Sequence, residues 1–476
     1  MRGRAERLWL ILALIGAGSA APAAGASPPG PPRDPGPPYR IEGRGFVTDG
    51  THPRRPGDAP RYDLMVMLVV DPALDEISLE FGDPKDPSDK PTRFFSRHGR
   101  LFQVADSTGL EADPRSYGDL KAAAIAALHP ALLAAALRDR PENLRVLPGG
   151  ARVFAWMDEL WAIEAEPARH RVASLTRAIY SAVHGDGTER VRYEPVGETA
   201  GAEARGAVRV TVTARGRETA RFDFAAAVPL TEDSLPPFPA GDRGRDRSWR
   251  LAPREIRFTE LAPHVFALDL DSLFVRVLVA EFADHVFVLE GTYGTHMSDE
   301  IARAVRERFG KPPRYFAFSH IHGQYIGGTR SWVAEGATIV VPPTTVPLVE
   351  EIVAAKFDSR PDALARRPRP LKVETVADRR TFEDATNALT IFEVESDHTD
   401  EYFIFWFPRA RILVTGDLYF YRPGRPATGR AKKLCAAVTA LGLDVERFVV
   451  SWPLSGYGTK NIFSRAEFDT ACAGSP

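Results

Sequence analysis

The chain of 476 residues has few cysteines, almost no net charge and little extended apolar sequence, and each shortage excludes something. Cys435 and Cys472 are the only cysteines, and neither sits in a Cys-x-x-Cys spacing, which excludes a thiolate metal site of that type. Lys plus Arg total 61 against 63 for Asp plus Glu, giving a formal charge of −2. That balance argues against a nucleic-acid binder held by bulk charge, because phosphate binding needs a basic surface. Beyond the N-terminal segment no run reaches 18 apolar residues, so no transmembrane segment is expected in the mature chain. There is no Gly-x-Ser-x-Gly elbow, no Walker loop, no Gly-x-Gly-x-x-Gly fingerprint and no repeat of 20–50 residues. The remainder, 44% hydrophobic and 26% charged, is ordinary globular composition, enough for two or three domains.

Residues 1–26 read as a signal peptide. Arg2, Arg4 and Arg7 form a basic start, Leu8 to Ile15 is unbroken apolar sequence, and Gly18-Ser19-Ala20 and Ala24-Gly25-Ala26 offer small-residue cleavage sites. With no cysteine near those sites, lipidation is not expected, and the mature protein is expected to be periplasmic or secreted. An exported chain permits a Cys435–Cys472 disulfide tying the C-terminal tail to the preceding helix; two free thiols are the alternative.

Proline marks the seams. Residues 27–38, rich in Pro and Gly, read as a linker. A second punctuated stretch, 229–255, holds Pro236-Pro237-Phe238-Pro239 and a run of alternating charge. Between them, 39–228 reads as a β-rich accessory domain. Val208, Val210 and Val212 alternate with polar residues, as do Phe222 and Phe224 after Arg215-Gly216, which is the period of a half-buried hairpin. Asp119 to Leu137 is Ala-rich and reads as a helix broken at Pro130. A curved sheet carrying a helix is architecturally similar to periplasmic lipoprotein-carrier domains, which leaves room for an envelope partner. His52, His98, His129, His170 and His184 show no metal spacing and are expected to be structural.

The segment 256–476 reads as a layered α/β domain, with strands in groups interleaved with helices. Ser298 is expected to N-cap a helix carrying Ile301, Val305 and Phe309 on one face and ending at Gly310. Strands are expected at Tyr315–Phe318, Leu389–Val394, Tyr402–Phe407 and Arg411–Val414. His320 and His322 follow the first of these, His398 the second, and Asp417 the last. A His-x-His pair alone is weak evidence, since about 0.25 are expected by chance from 11 histidines. Three imidazoles and a carboxylate, each at a strand end, are the donor set a borderline-soft divalent metal prefers.

The order of these motifs resembles the metallo-β-lactamase superfamily, in its bacterial metallohydrolase branch. The supporting run is Glu290-Gly291, then His320-Ile321-His322 with Gly327-Gly328, then His398, then Gly416-Asp417. The resemblance covers nearly all of 256–476 and implies a four-layer αβ/βα sandwich with metal at one edge between two sheets. It implies that His320, His322 and His398 hold a first metal and that Asp417 is the bridging carboxylate. The family pattern His-x-His-x-Asp-His is broken by Gln324 and Tyr325, and its last histidine falls on Tyr457 or Ser455, depending on alignment. All three losses belong to the second metal, so the resemblance implies a mononuclear centre, with zinc as first choice and iron or manganese as alternatives. Gln324 can hydrogen-bond a water but cannot take its proton. Asp400, Asp397 and Tyr325 are the candidates to substitute, with Asp397 and Asp400 also placed to orient His398.

Three functions follow. The first is an exported hydrolase in which metal-bound water attacks an ester, lactone, amide or thioester carbonyl of a small molecule. The second is a catalytically inactive binding or scaffold protein of the cell envelope. The third is a mononuclear iron oxidoreductase.

Overall fold

The computed structural model describes residues 37–71 except 49, 51 and 52; 76–82; 92–97; 100–105; 108–111; 129, 130 and 133; 144–147; 151–156; 159–166; 171–196; 206–231; 241–243; 256–270; 275–454; and 458–474. The signal and linker readings of 1–36, most of the helix expected at Asp119–Leu137, and Ser455 and Tyr457 lie outside them. The chain divides into two compact units. The first takes residues up to Asp49, Arg61–Ile179 and Gly187–Arg247; the second takes Gly50–Pro60, Tyr180–Asp186 and Ser248–Pro476.

The first unit is built on one sheet of 15 strands, mostly antiparallel. Tyr39–Thr48 lies between Arg61–Asp71 and Arg217–Phe224, and Val208–Ala214 pairs with Arg217–Phe224 as the expected hairpin. Period-two patterning puts Ile41, Leu68, Val191, Val210 and Phe222 into one core. The opposite face carries charge pairs such as Arg209–Asp223, joined across directly opposed strand positions at 2.6 Å.

The second unit holds two sheets. In the first, β1 (Phe258–Ala262), β2 (Val265–Leu270), β3 (Val275–Glu281) and β4 (Val286–Leu289) are antiparallel. They continue in parallel through β5 (Pro313–Ala317), β6 (Thr338–Val341) and β7 (Val373–Thr375). Helix α1 (Thr295–Phe309) connects β4 to β5; the short α2 (Gly323–Ile326) and α3 (Thr329–Glu335) connect β5 to β6. The second sheet runs β8 (Arg379–Glu383), β9 (Ala388–Glu393), β10 (Phe403–Phe407), β11 (Ile412–Val414), β12 (Arg447–Val449) and β13 (Ile462–Ser464). Helices α4 (Arg430–Ala440) and α5 (Arg465–Ala473) belong with it.

The central strands, such as β3, β4 and β10, read as continuous apolar runs because both faces are buried. In β3, Leu278 and Ala280 join Phe403 and Phe405 of β10 in a core shared by the two sheets. The alternate residues Val275, Val277 and Val279 pack with Ile301 of α1 and Trp332 of α3. Likewise Ile404 and Trp406 of β10 turn toward Leu434 of α4 and Phe468 of α5. The start of α1 corrects the sequence reading. Gly294 precedes the helix, whereas Ser298 lies inside it, buried, with its hydroxyl 2.8 Å from the Thr292 hydroxyl. Gly310 closes α1 in the left-handed region, as expected. Cys435 and Cys472 form a disulfide joining α4 to α5. No helix among the described residues is long and apolar enough to cross a membrane.

Candidate metal centre

His320 and His322 leave the end of β5 in the turn that leads into α2; His398 follows β9; Asp417 follows β11. Ligands from both sheets therefore converge. One donor atom from each of the four residues lies within 4.8 Å of every other. His320 Nε2 is 2.9 Å from His322 Nδ1 and 3.7 Å from Asp417 Oδ1, and His398 Nε2 is 3.2 Å from Asp417 Oδ2. Tetrahedral bonds of about 2.0–2.2 Å place neighbouring donors roughly 3.3–3.6 Å apart, so these spacings bracket what one divalent ion requires. His398 Nε2 is buried and faces Asp417 Oδ2 rather than solvent. The residues fit such an ion.

The surroundings hold the donors in place. Tyr402, at the start of β10, stacks on the His320 ring with centroids 4.7 Å apart. Its hydroxyl lies 3.1 Å from Asp417 Oδ1 and 3.2 Å from the Thr415 carbonyl, and accepts the Asp417 N–H at 2.9 Å. Gly416 sits at φ 59°, and a Cβ there would meet the Tyr402 hydroxyl at 2.1 Å and Ser319 Oγ at 2.7 Å. Only glycine permits this approach, which explains the Gly-Asp pair. The Ser319 hydroxyl is 3.0 Å from His320 Nδ1, and the Ser319 N–H donates to Glu290 at 2.9 Å. Arg430, the first residue of α4, lies over the Phe420 ring and places Nη1 2.8 Å from His398 Nδ1 and 3.9 Å from Asp417 Oδ1.

Burial alone would raise the Asp417 carboxyl. Its interactions with the His320 and His398 rings and with the Arg430 guanidinium outweigh it and hold that carboxyl well below the usual carboxylate range. Burial keeps His320 neutral, the form a ligand needs. Burial also pushes Glu290 up to about 8 against the opposing Ser319 N–H. Tyr325 and Tyr402 are raised well above the ordinary phenol by burial.

The candidate catalytic residues separate. Gln324 and Tyr325 lie in α2, both buried. The Tyr325 ring packs 4.4 Å from that of His320, and its hydroxyl finds no hydrogen-bond partner among the described residues. Asp400 does not orient His398. Its carboxylate takes Arg54 at 3.0 Å together with Arg55, and its N–H donates to the Arg54 carbonyl. Asp397 pairs with Lys433 at 2.8 Å. The expected roles for these two carboxylates toward His398 are therefore corrected: the partner of its Nδ1 is Arg430. Charge complementarity decides this, since two acidic residues on an exposed loop were met by basic residues far away in sequence. Tyr402 and Arg430 were not singled out from sequence, because nothing in their local pattern distinguishes them from a strand aromatic and a helix-surface cation. His296 sits in the first turn of α1, 3.4 Å from the Tyr180 hydroxyl and outside the cluster.

No family model and no curated protein matches the chain. Solved structures similar to it are metallo-β-lactamases. The metallo-β-lactamase from Pontibacter korlensis is 16% identical with a TM-score of 0.35, over 46% of this chain and 98% of its own. The metallo-β-lactamase from Hirschia baltica is 16% identical with a TM-score of 0.34, over 46% and 97%. FIM-1 from Pseudomonas aeruginosa, in a mono-zinc form, is 14% identical with a TM-score of 0.34, over 46% and 93%.

Proposed function

We propose that this protein is an exported metal-dependent hydrolase of the metallo-β-lactamase superfamily, with one divalent ion, zinc first, at a centre of three histidines and one aspartate. The observation that carries the reading is the convergence of His320, His322, His398 and Asp417 donors within 4.8 Å. The packing of helices against the outer face of each of two facing sheets supports assigning 256–476 to a four-layer αβ/βα sandwich. The Cys435–Cys472 disulfide supports an oxidising compartment, in keeping with a signal peptide at 1–26.

An ion held by these residues supplies Lewis-acid activation of water and of a carbonyl at neutral pH. His320, His322 and His398 would present imidazole nitrogens to it and Asp417 a carboxylate. Tyr402 and Gly416 fix the Asp417 carboxylate, and Ser319 accepts the His320 Nδ1 proton so that Nε2 stays bare. Gln324, buried beside the cluster, hydrogen-bonds water without taking its proton. The substrate class is a small ester, lactone, amide or thioester.

The second reading, a catalytically inactive envelope protein, is favoured by one observation. The nearby Asp400 is engaged by two arginines and so is poorly placed to take a proton. Elemental analysis of the purified mature protein against His320→Ala separates the readings. About one metal ion per chain in the wild type, lost in the variant, is expected. Less than about 0.2 ion per chain under replete conditions sinks the hydrolase, and iron in place of zinc favours the oxidoreductase. N-terminal sequencing of the exported protein checks the cleavage near residue 26.

A further inference from the structure

The three histidines of the cluster do not have equivalent surroundings. A metal-bound histidine ordinarily gives the proton on its other ring nitrogen to an acceptor, which fixes the tautomer that leaves the ligating nitrogen bare. His320 has such a partner in the Ser319 hydroxyl, 3.0 Å from its Nδ1. His398 has the reverse. The group 2.8 Å from its Nδ1 is the Arg430 guanidinium, which has five N–H donors and no acceptor. That nitrogen must accept, so the neutral ring carries its proton on Nε2, the atom that faces Asp417 and the other donors.

Arg430 is built into this position. It opens α4, its guanidinium carbon lies 4.3 Å from the centre of the Phe420 ring, and its Nη1 also comes within 3.9 Å of Asp417 Oδ1. It is thus a fixed cation beside the only carboxylate of the cluster. Gln324 and Tyr325 stand where the family resemblance expects ligands of a second metal.

We propose that Arg430 takes the part of a second cation in this centre and opposes the first. It balances Asp417 and orders the cluster before metal arrives, and it lowers metal affinity by holding the His398 proton on the ligating nitrogen. The Arg430–His398 bond and an ion at this ring would exclude each other: a histidine that gave Nε2 to an ion would carry its proton on Nδ1, facing the Arg430 N–H donor. By linkage, the residue that weakens the metal is the one the metal displaces. This rests on the mononuclear reading above, but its test is independent of catalysis.

The experiment compares zinc affinity, by competition with a chromogenic chelator, in the full mature chain and in Arg430→Gln and Arg430→Met. Thermal unfolding is followed with and without zinc. Both variants are expected to bind zinc about tenfold tighter or more, the scale of outer-shell effects on metal affinity, while their metal-free forms unfold at lower temperature. Arg430→Lys, which keeps a donor-only cation, is expected to stay near wild type. A merely structural arginine would weaken both the apo fold and the metal site, so equal or weaker zinc binding in the Gln and Met variants overturns the proposal. If neither wild type nor variants bind zinc, the metal-centre reading fails and this inference with it. If all bind equally, this inference fails alone.

Discussion

The Tyr402 hydroxyl serves three backbone and side-chain groups at once. It accepts the Asp417 N–H and shares its proton between the Thr415 carbonyl and Asp417 Oδ1. All of these are buried, so removing the hydroxyl strands groups that water cannot reach. Tyr402→Phe is expected to cost about 1–3 kcal/mol in denaturant unfolding and to weaken metal binding, because the Asp417 carboxylate loses an anchor while the ring stacked on His320 remains. Unfolding within ~0.5 kcal/mol of wild type with unaltered metal affinity would show that the hydroxyl positions nothing. The four cluster residues were legible in the sequence because each follows a strand and each is of ligand type. Their supports were not: Tyr402 reads as one more strand aromatic, and the roles of Asp397 and Asp400 depend on Lys433, Arg54 and Arg55, contacts that no local pattern encodes.

At the scale of elements, the disulfide constrains the outer helices of the second sheet. It closes a separation of 37 residues between α4 and α5, which pack on β10 through Leu434 and Phe468. A cross-link of that span removes about 3–4 kcal/mol of unfolded-state freedom on the chain-entropy account. The double variant Cys435→Ser and Cys472→Ser is therefore expected to fold, to unfold at lower denaturant, and to release Arg430 at the start of α4 only as far as that helix loosens. The measurement is the denaturation midpoint of the oxidised wild type against the variant. Equal midpoints would mean the packing of α4 and α5 already fixes the helices. The strands were the most legible elements, since runs such as Phe403–Phe407 are apolar on both faces. The start of α1 was misread because Ser298 has the chemistry of a cap, yet the chain turns at Gly294, four residues earlier, and the serine is drawn inward to Thr292.

At the scale of the molecule, the two units have separate cores and should answer different perturbations. The β-rich unit buries His129 against Phe224, with ring centroids 4.9 Å apart. That burial pushes the imidazole down to about 3 from its ordinary 6.5, with desolvation as the cause. A histidine whose folded value is depressed is neutral in the fold and takes up a proton on unfolding. Its neutral form therefore supports the fold fully above about pH 6.5, and the support is lost as pH falls toward 3. Between pH 7.5 and 5 this amounts to about 2 kcal/mol, and His129→Leu should remove that part of the slope. Zinc should act on the other unit, where all four candidate ligands lie, raising its transition by mass action. The expected record is two unfolding transitions. Acid lowers one, and His129→Leu blunts that effect; metal raises the other, and His320→Ala abolishes that. A metal-dependent shift of the His129 transition would contradict the assignment of the metal centre to the second unit alone.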